Sequence, residues 1–369
     1  MRSPRCIYDL IVTGGGPAGC SAAITAARAG CRVLLLERGR YPRQKVCGEF
    51  VSAESLGLLG SLLNGTSQLV DEVIRIDAAR IFVDRSVLRS TVDPSGASIT
   101  RLDLDAALWE SAQQSGVDAR QQTTVQVIEG DGPFVVRCTA GEFESRAVID
   151  CSGRWSNLNA SPEHPGAQRA KWIGMKAHCE EPEAAQSVDL YFFDGGYCGV
   201  QPVTRAEGKK ASRINVCAMV RADVATDMQG VFSQSQALTE RSNSWQKITE
   251  PVTTSPLVFR APRPVREHVL AAGDAAGFVD PFVGDGISLA LRSGTLAGQS
   301  LLPFINGIVQ LPRAVEAYRK AYERTLAPVF RISSQLRRLL LLPKPARSLT
   351  LAVLRNTPSL LRYAVRKTR

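Results

Sequence analysis

Histidine, paired cysteine and long apolar runs are what this sequence lacks. Its 3 histidines, His164, His178 and His268, lie far apart, which speaks against the clustered His and Cys ligands of a zinc site. Its 9 cysteines contain no C-x-x-C pair, so neither a zinc ribbon nor a thioredoxin-like redox motif is expected. An odd, scattered set of cysteines fits a reducing cytoplasm. The uncharged stretch 10–27 is interrupted by Gly14, Gly15, Gly16, Pro17 and Gly19. It therefore reads neither as a signal-peptide core nor as one of the roughly 20-residue segments that span a bilayer. The expectation is a cytoplasmic chain with no metal site, leader or transmembrane helix.

Acid is missing from one end only. The chain carries 45 Lys and Arg against 35 Asp and Glu, a net charge of +10 over 369 residues. Residues 331–369 hold ten of those basic groups and no acid, which leaves 35 of each sign in residues 1–330. The body is neutral and carries no nucleic-acid-binding motif, so no nucleic-acid partner is expected. The tail mixes its arginines with leucine, and Pro343, Pro345 and Pro358 divide it into short pieces. Thr357 and Pro358 read as a helix start. Leu360, Leu361, Ala364 and Val365 would then share one face, with Arg362, Arg366 and Lys367 around it. Such a basic amphipathic helix suits an anionic membrane surface, here the inner face of the membrane. The alternative is that the leucines cap the body and the arginines are merely solvated.

Toward the N-terminus the pattern is that of a β-α-β unit. Residues 8–13 predict a buried strand, 21–29 a helix of small residues, and 33–37 a second buried strand. Gly14-x-Gly16-x-x-Gly19, with Ala18 inside it, falls between the first strand and the helix. Glycines there permit a tight turn, and a pyrophosphate can sit against the helix N-terminus. Glu37 follows Gly19 by 18 residues, where an acid accepts hydrogen bonds from ribose hydroxyls. These features predict a dinucleotide site and leave NAD and FAD both open; Arg38 is readable as a 2′-phosphate contact.

The rest of the chain alternates. Short strands are expected within 68–100, a helix at 102–115, and strands at 123–127, 134–138 and 147–151. Further strands are expected at 172–178, 188–193, 213–221 and 269–273, then a helix at 287–302 and helices from Pro312 onward. The reading is an α/β fold (α+β overall) of two interleaved domains. Residues 1–70, 101–160 and 261–305 form the dinucleotide-binding domain, and 71–100 with 161–260 an antiparallel substrate sheet. Residues 306–369 form a helical C-terminal region.

Three segments carry a family resemblance. Residues 271–291 read AAGDAAGFVDPFVGDGISLAL, residues 45–49 read KVCGE, and Arg101 opens the helix at 102–115. Together they resemble the FAD-dependent oxidoreductases of the p-hydroxybenzoate hydroxylase and geranylgeranyl reductase superfamily. The resemblance implies a Rossmann-type FAD-binding domain in which Asp274 bonds the ribityl chain. Gly286 and Ile287 would aim helix amides at the pyrimidine edge of the flavin. It also places Lys45, Cys47 and Gly48 near the cofactor, Arg101 near its phosphates and adenine near Val125. Lys45 is either a phosphate contact or a surface lysine. Cys47 and Tyr197 are the candidates for catalysis, with plain packing the alternative for each. The segment 150–156 departs from the family's Asp-Gly motif, with Ser152 at the altered position.

Members of the superfamily either hydroxylate, using NAD(P)H and O2, or reduce isolated double bonds of polyprenyl lipids. The reductases' aromatic-x-Trp-x-aromatic-Pro pattern falls on residues 197–202, where Tyr197 and Pro202 match but Gly199 and Gln201 replace rings. The halogenases' W-x-W-x-I-P segment is absent. Losing rings here is expected to widen the cavity, so the expectation is a monooxygenase acting on a hydrophobic small molecule. The alternatives are a geranylgeranyl-reductase-like double-bond reductase and a non-catalytic FAD-binding redox sensor or membrane adaptor. No second G-x-G-x-x-G follows a later strand, so NAD(P)H or a reduced electron-carrier protein would bind transiently as electron donor.

Overall fold

The computed structural model describes residues 7–64, 68–71, 73–84, 86–154, 158, 171–205, 212–257, 259, 261–280 and 284–340. His164, Trp155, Ser156 and the tail beyond Leu340, including the expected Thr357–Pro358 helix start, lie outside them.

The first sheet is built on apolar runs. β1 (Ile7–Thr13) lies parallel to β2 (Val33–Leu36) and to β9 (Gly141–Asp150). β6 (Asp118–Arg120) extends it beyond β2, and β17 (Val269–Ala271) with β16 (Val265–Arg266) beyond β9. The pair β7 (Val125–Glu129) and β8 (Phe134–Cys138) joins antiparallel to β9. Leu10, Ile11, Val12 and the whole of β2 are 0–1% exposed, as expected of parallel strands covered on both faces.

Helix α1 (Pro17–Arg28) packs against α4 (Arg101–Gln114) and α7 (Gly286–Ile305). The approach to α7 is very close: a Cβ on Gly294 would lie 2.0 Å from the Ala18 carbonyl oxygen. Ser21 donates across the same contact to the Leu291 carbonyl at 2.7 Å. α8 (Leu311–Thr325) covers β17, where the buried Tyr318 hydroxyl donates to the Ala271 carbonyl at 2.7 Å, and α9 (Ala327–Leu340) packs on α8.

The second sheet runs β14 (Gln246–Lys247), β10 (Trp172–Glu181), β13 (Ser212–Arg221), β12 (Gly196–Arg205), β11 (Ser187–Phe193), β4 (Ile74–Val83), β5 (Ser86–Ser98), β3 (Phe50–Val51). β15 (Val252–Thr254) pairs with β10. The sheet was expected to be antiparallel, but β11 and β4 are parallel. The chain leaves after β5 to build the first domain and re-enters elsewhere, so a hairpin cannot set that pair. β3, from a segment assigned to the cofactor domain, closes the far edge against β5.

Other boundaries also moved. The helix expected from Ser21 starts at Pro17, because proline at the first helical position supplies the required φ and lacks only an N–H that would be unsatisfied there. The expected strand at 147–151 is the end of a ten-residue strand, and β7 starts at Val125 and not at Thr123. Helices α2 (Ala53–Leu62), α3 (Gln68–Asp71), α5 (Met228–Phe232) and α6 (Gln236–Ser242) add to the expected set.

Candidate functional site

A cavity of about 420 Å³ lies between the two sheets, and the glycines around it fall into two kinds. Gly14 turns the chain after β1 with φ +96°, and a Cβ there would lie 2.3 Å from the Cys151 carbonyl oxygen. A Cβ on Gly19 would lie 1.7 Å from the Gly14 carbonyl oxygen. Gly19 is thus a packing glycine beneath the loop, while Gly14, Gly16 and Ala18 line the cavity. Gly16, Gly48 and Gly286 have no atom within 4 Å of the position a Cβ would take, so their bareness leaves room for a ligand. α1 and α7 both open onto this space, with neither N-cap closed by a side chain. Two helix N-termini facing one cavity suit a ligand carrying negative charge at two places, as an FAD with its pyrophosphate and flavin edge does.

One end of the cavity is cationic. Arg38, Arg43, Lys45 and Arg101 line it together with Glu37 and Val125. Burial, with the neighbouring Arg43 and Arg101, lowers the Lys45 ammonium to about 8, the condition of a lysine among like charges. Glu37 was expected to await ribose hydroxyls. In the structure its carboxylate accepts from the Gly15 N–H at 2.8 Å, the Gly39 N–H at 2.6 Å and Arg43 Nη2 at 2.8 Å. It ties the glycine loop to the end of β2. Burial opposes its ionisation, but Arg43 and the two N–H donors outweigh that and hold its carboxyl below the usual range. Arg101 likewise is engaged within its own helix, donating from Nε and Nη2 to Asp105 at 2.8 and 2.7 Å.

The other end is apolar. Tyr197 packs with Met219 and Leu257, flanked by Trp172, Leu190, Phe192, Phe259 and Phe278. Tyr197, Met219, Leu257 and Phe278 line the cavity. Burial first, then Asp280 and Cys217, push the Tyr197 phenol well up, so it holds its proton. Gly199 and Gln201 are not among the lining residues, contrary to the expected widening. Leu190 occupies the side of Gly199, 3.4 Å from its would-be Cβ, and Gln201 donates to Ser98 Oγ at 2.6 Å.

Cys47, Asp274 and Ile287 line the same cavity. The Cys47 sulfur accepts from the Glu49 N–H at 3.4 Å. Asp274 lies in the 3-10 turn Gly273–Ala275 after β17 and pairs at 3.4 Å with Arg154, whose guanidinium stacks 4.1 Å from the Phe278 ring. In the altered motif, Asp150 accepts from Thr13 Oγ1 at 3.0 Å, from the Ser152 N–H at 2.9 Å and from Arg266. That makes it a buried joint between strands.

Sequence reasoning missed Arg43, Glu49, Lys176, His178, Asn215 and Arg154. Glu49 stood inside a quoted motif, but its partners Lys176 and His178 lie 127 and 129 residues away. No spacing could have joined them.

The chain matches a family model described as FAD binding domain over residues 8–331. It is 25% identical over 344 residues to the digeranylgeranylglycerophospholipid reductase of Methanocaldococcus jannaschii, covering 88% of this chain and 83% of that protein. It is 24% identical over 328 residues to the conditioned medium factor receptor 1 of Dictyostelium discoideum. That match covers 81% of this chain and 64% of the relative, less than two thirds of its length. A solved flavin-dependent brominase superposes with a TM-score of 0.80 at 18% identity, covering 98% of this chain and 93% of that one. At that identity the likeness is one of fold.

Proposed function

Given that this chain belongs to the FAD binding domain family and is an FAD-dependent oxidoreductase, we propose that it reduces a carbon–carbon double bond in an apolar lipid chain. The observation that carries this reading is the apolar wall of Tyr197, Met219, Leu257 and Phe278, which lines the same cavity as Arg38, Arg43, Lys45 and Arg101. The similarity to a reductase of an isoprenoid lipid along most of both chains supports it. Bound FAD supplies the two-electron chemistry. The N-termini of α1 and α7 orient it, Lys45 and Arg43 face its negative charge, and the apolar wall excludes water from the reacting carbons. Tyr197, a phenol on that wall, is the candidate for giving the proton to carbon.

A monooxygenase is the second reading: residues 197–202 depart from the reductases' aromatic pattern at Gly199 and Gln201, although neither lines the cavity. The test is to purify the protein, record the flavin spectrum, and offer unsaturated polyprenyl lipids under two regimes. Under argon with dithionite, a product that gains two hydrogens per double bond is expected. A product that gains oxygen, formed only in air with NADH or NADPH, would replace the reductase reading with the monooxygenase. A colourless protein that takes up no FAD defeats both, and bound flavin that no donor reduces points to a sensor or adaptor.

The same reading places the enzyme at a membrane surface through residues 331–369, whose arginines and leucines suit an anionic interface. No helix among the described residues is long and apolar enough to cross a membrane. Co-sedimentation with anionic liposomes is expected for the full chain and is expected to fall on truncation after Leu340. Equal binding by both would remove residues 341–369 from the account.

A further inference from the structure

The sheet that walls the apolar end of the cavity also grips the loop that faces the cofactor space. Side chains two apart on a strand share a face. On β10 that groups Gly174, Lys176 and His178; on β13 it groups Asn215, Cys217 and Met219. Gly174, Cys217 and Met219 line the cavity. Their face-mates reach the loop Gln44–Glu49 instead. Lys176 Nζ donates to Gln44 Oε1 at 2.9 Å and to Glu49 Oε1 at 2.5 Å, so one ammonium holds both ends of the loop. Asn215 Nδ2 donates to the Cys47 carbonyl at 3.0 Å, holding its middle. His178 Nε2 meets Glu49 Oε2 at 2.8 Å, and the Arg101 N–H donates to Glu49 Oε1 at 2.7 Å.

Glu49 itself has φ +60°, a left-handed backbone that a non-glycine residue keeps only when its surroundings over-determine it. Glu49, Lys176 and His178 are 0–1% exposed. Burial opposes the Glu49 charge, yet the His178 hydrogen bond and the Lys176 ammonium hold its carboxyl below the usual range. Burying such a pair costs more than burying apolar side chains of equal volume unless its geometry is good. Here the geometry joins three elements: the loop, the first turn of α4 and the second sheet.

We infer that Lys176 is a positioning residue, clamping the loop that carries Lys45 to Gly48 at a fixed height over the cofactor space. The inference rests on the reading that FAD occupies this cavity. It adds that the sheet walling the substrate space also sets the height of the loop that faces the cofactor.

The experiment compares Lys176→Met, Lys176→Arg and the double variant Lys176→Met/Glu49→Gln, which leaves no buried unpaired charge. Two quantities are read besides melting temperature. One is hydrogen exchange of the peptide covering residues 44–49 in flavin-free protein; the other is the FAD dissociation constant from fluorescence quenching. The single Met variant is expected to exchange about tenfold faster in that peptide and to bind FAD about tenfold more weakly. Arginine is expected to restore part of both. The double variant is expected to recover melting temperature without recovering loop protection or affinity. Wild-type exchange in the folded double variant, or FAD affinity returning together with melting temperature, overturns the clamp. Wild-type protein that binds no FAD overturns the cofactor reading alone, because the exchange data still decide the clamp.

Discussion

The two sheets of this protein approach the same cavity with opposite means. The first does so by removing side chains: Gly14, Gly16 and Gly19 bring backbone and helix N-termini forward, behind strands that are apolar on both faces. The second does so with buried charge. Lys176 and Glu49 hold the loop, and farther along the sheet Arg80, Arg241, Asp189 and Glu181 form a second ionic cluster. Backbone can serve any anionic ligand at a helix end, because the N–H groups need no specific partner in sequence. Charge can serve only where a partner is delivered by the fold. The first device is local and the second is tertiary.

Four changes would break or sharpen that contrast. The largest effect is expected at Arg241, whose removal leaves the buried Glu181 without a guanidinium partner while Asp189 keeps Arg80. Arg241→Met should cost about 3–5 kcal/mol in denaturant unfolding while FAD affinity stays at the wild-type value. A parallel loss of affinity would show that this cluster also serves the cofactor, contrary to the division drawn above. Next is Gly19→Ala, whose added methyl meets the Gly14 carbonyl. It should cost about 1–3 kcal/mol and abolish flavin uptake, read from the visible spectrum of the purified protein. Retained flavin at unchanged stability would show that the turn can relax.

Tyr197→Phe should leave FAD affinity intact and lower kcat about a hundredfold if its hydroxyl donates the proton. An unchanged kcat would reduce Tyr197 to part of the wall. The smallest effect is expected at Lys45. Its pKa, lowered to about 8 by burial and its arginine neighbours, gives two trends of opposite sign. The unfolded chain binds more protons than the folded one between about 8 and the ordinary lysine value, so flavin-free stability should rise with pH there. FAD affinity should fall over the same window as the ammonium is lost. Lys45→Met should flatten both trends and weaken binding about tenfold below pH 8. Affinity that is level across that window in the wild type would place Lys45 away from the phosphates.

How far the site could be read in advance follows the same division. The glycine loop, Glu37, the KVCGE loop, Arg101, Val125, Asp274 and Gly286 were all named from sequence, and all but Gly19 line one cavity or, as Gly19 does, support its rim. Their signals are local: a strand, a turn and a helix start within a few residues. The roles assigned to single side chains were less secure. Glu37 also braces its own loop, and Arg101 also pairs with Asp105, partners that no local signal announced. A carboxylate or guanidinium in the right place takes whatever partner the fold brings nearest. Gly199 misled for the same reason, since Leu190 from the neighbouring strand covers it.

The sequence by itself determined the α/β class, the glycine turn after the first strand and the two helix starts that open onto one cavity. Those follow from apolar runs, glycine spacing and caps, which act over one or two turns of chain. Only the tertiary structure decided that β11 lies parallel to β4, that Leu190 lies against Gly199, and that one lysine on β10 holds both ends of a loop far from it in sequence. Buried charges and strand neighbours are chosen by the lowest free energy of the whole packed assembly, and a single chain of residue types does not record that choice.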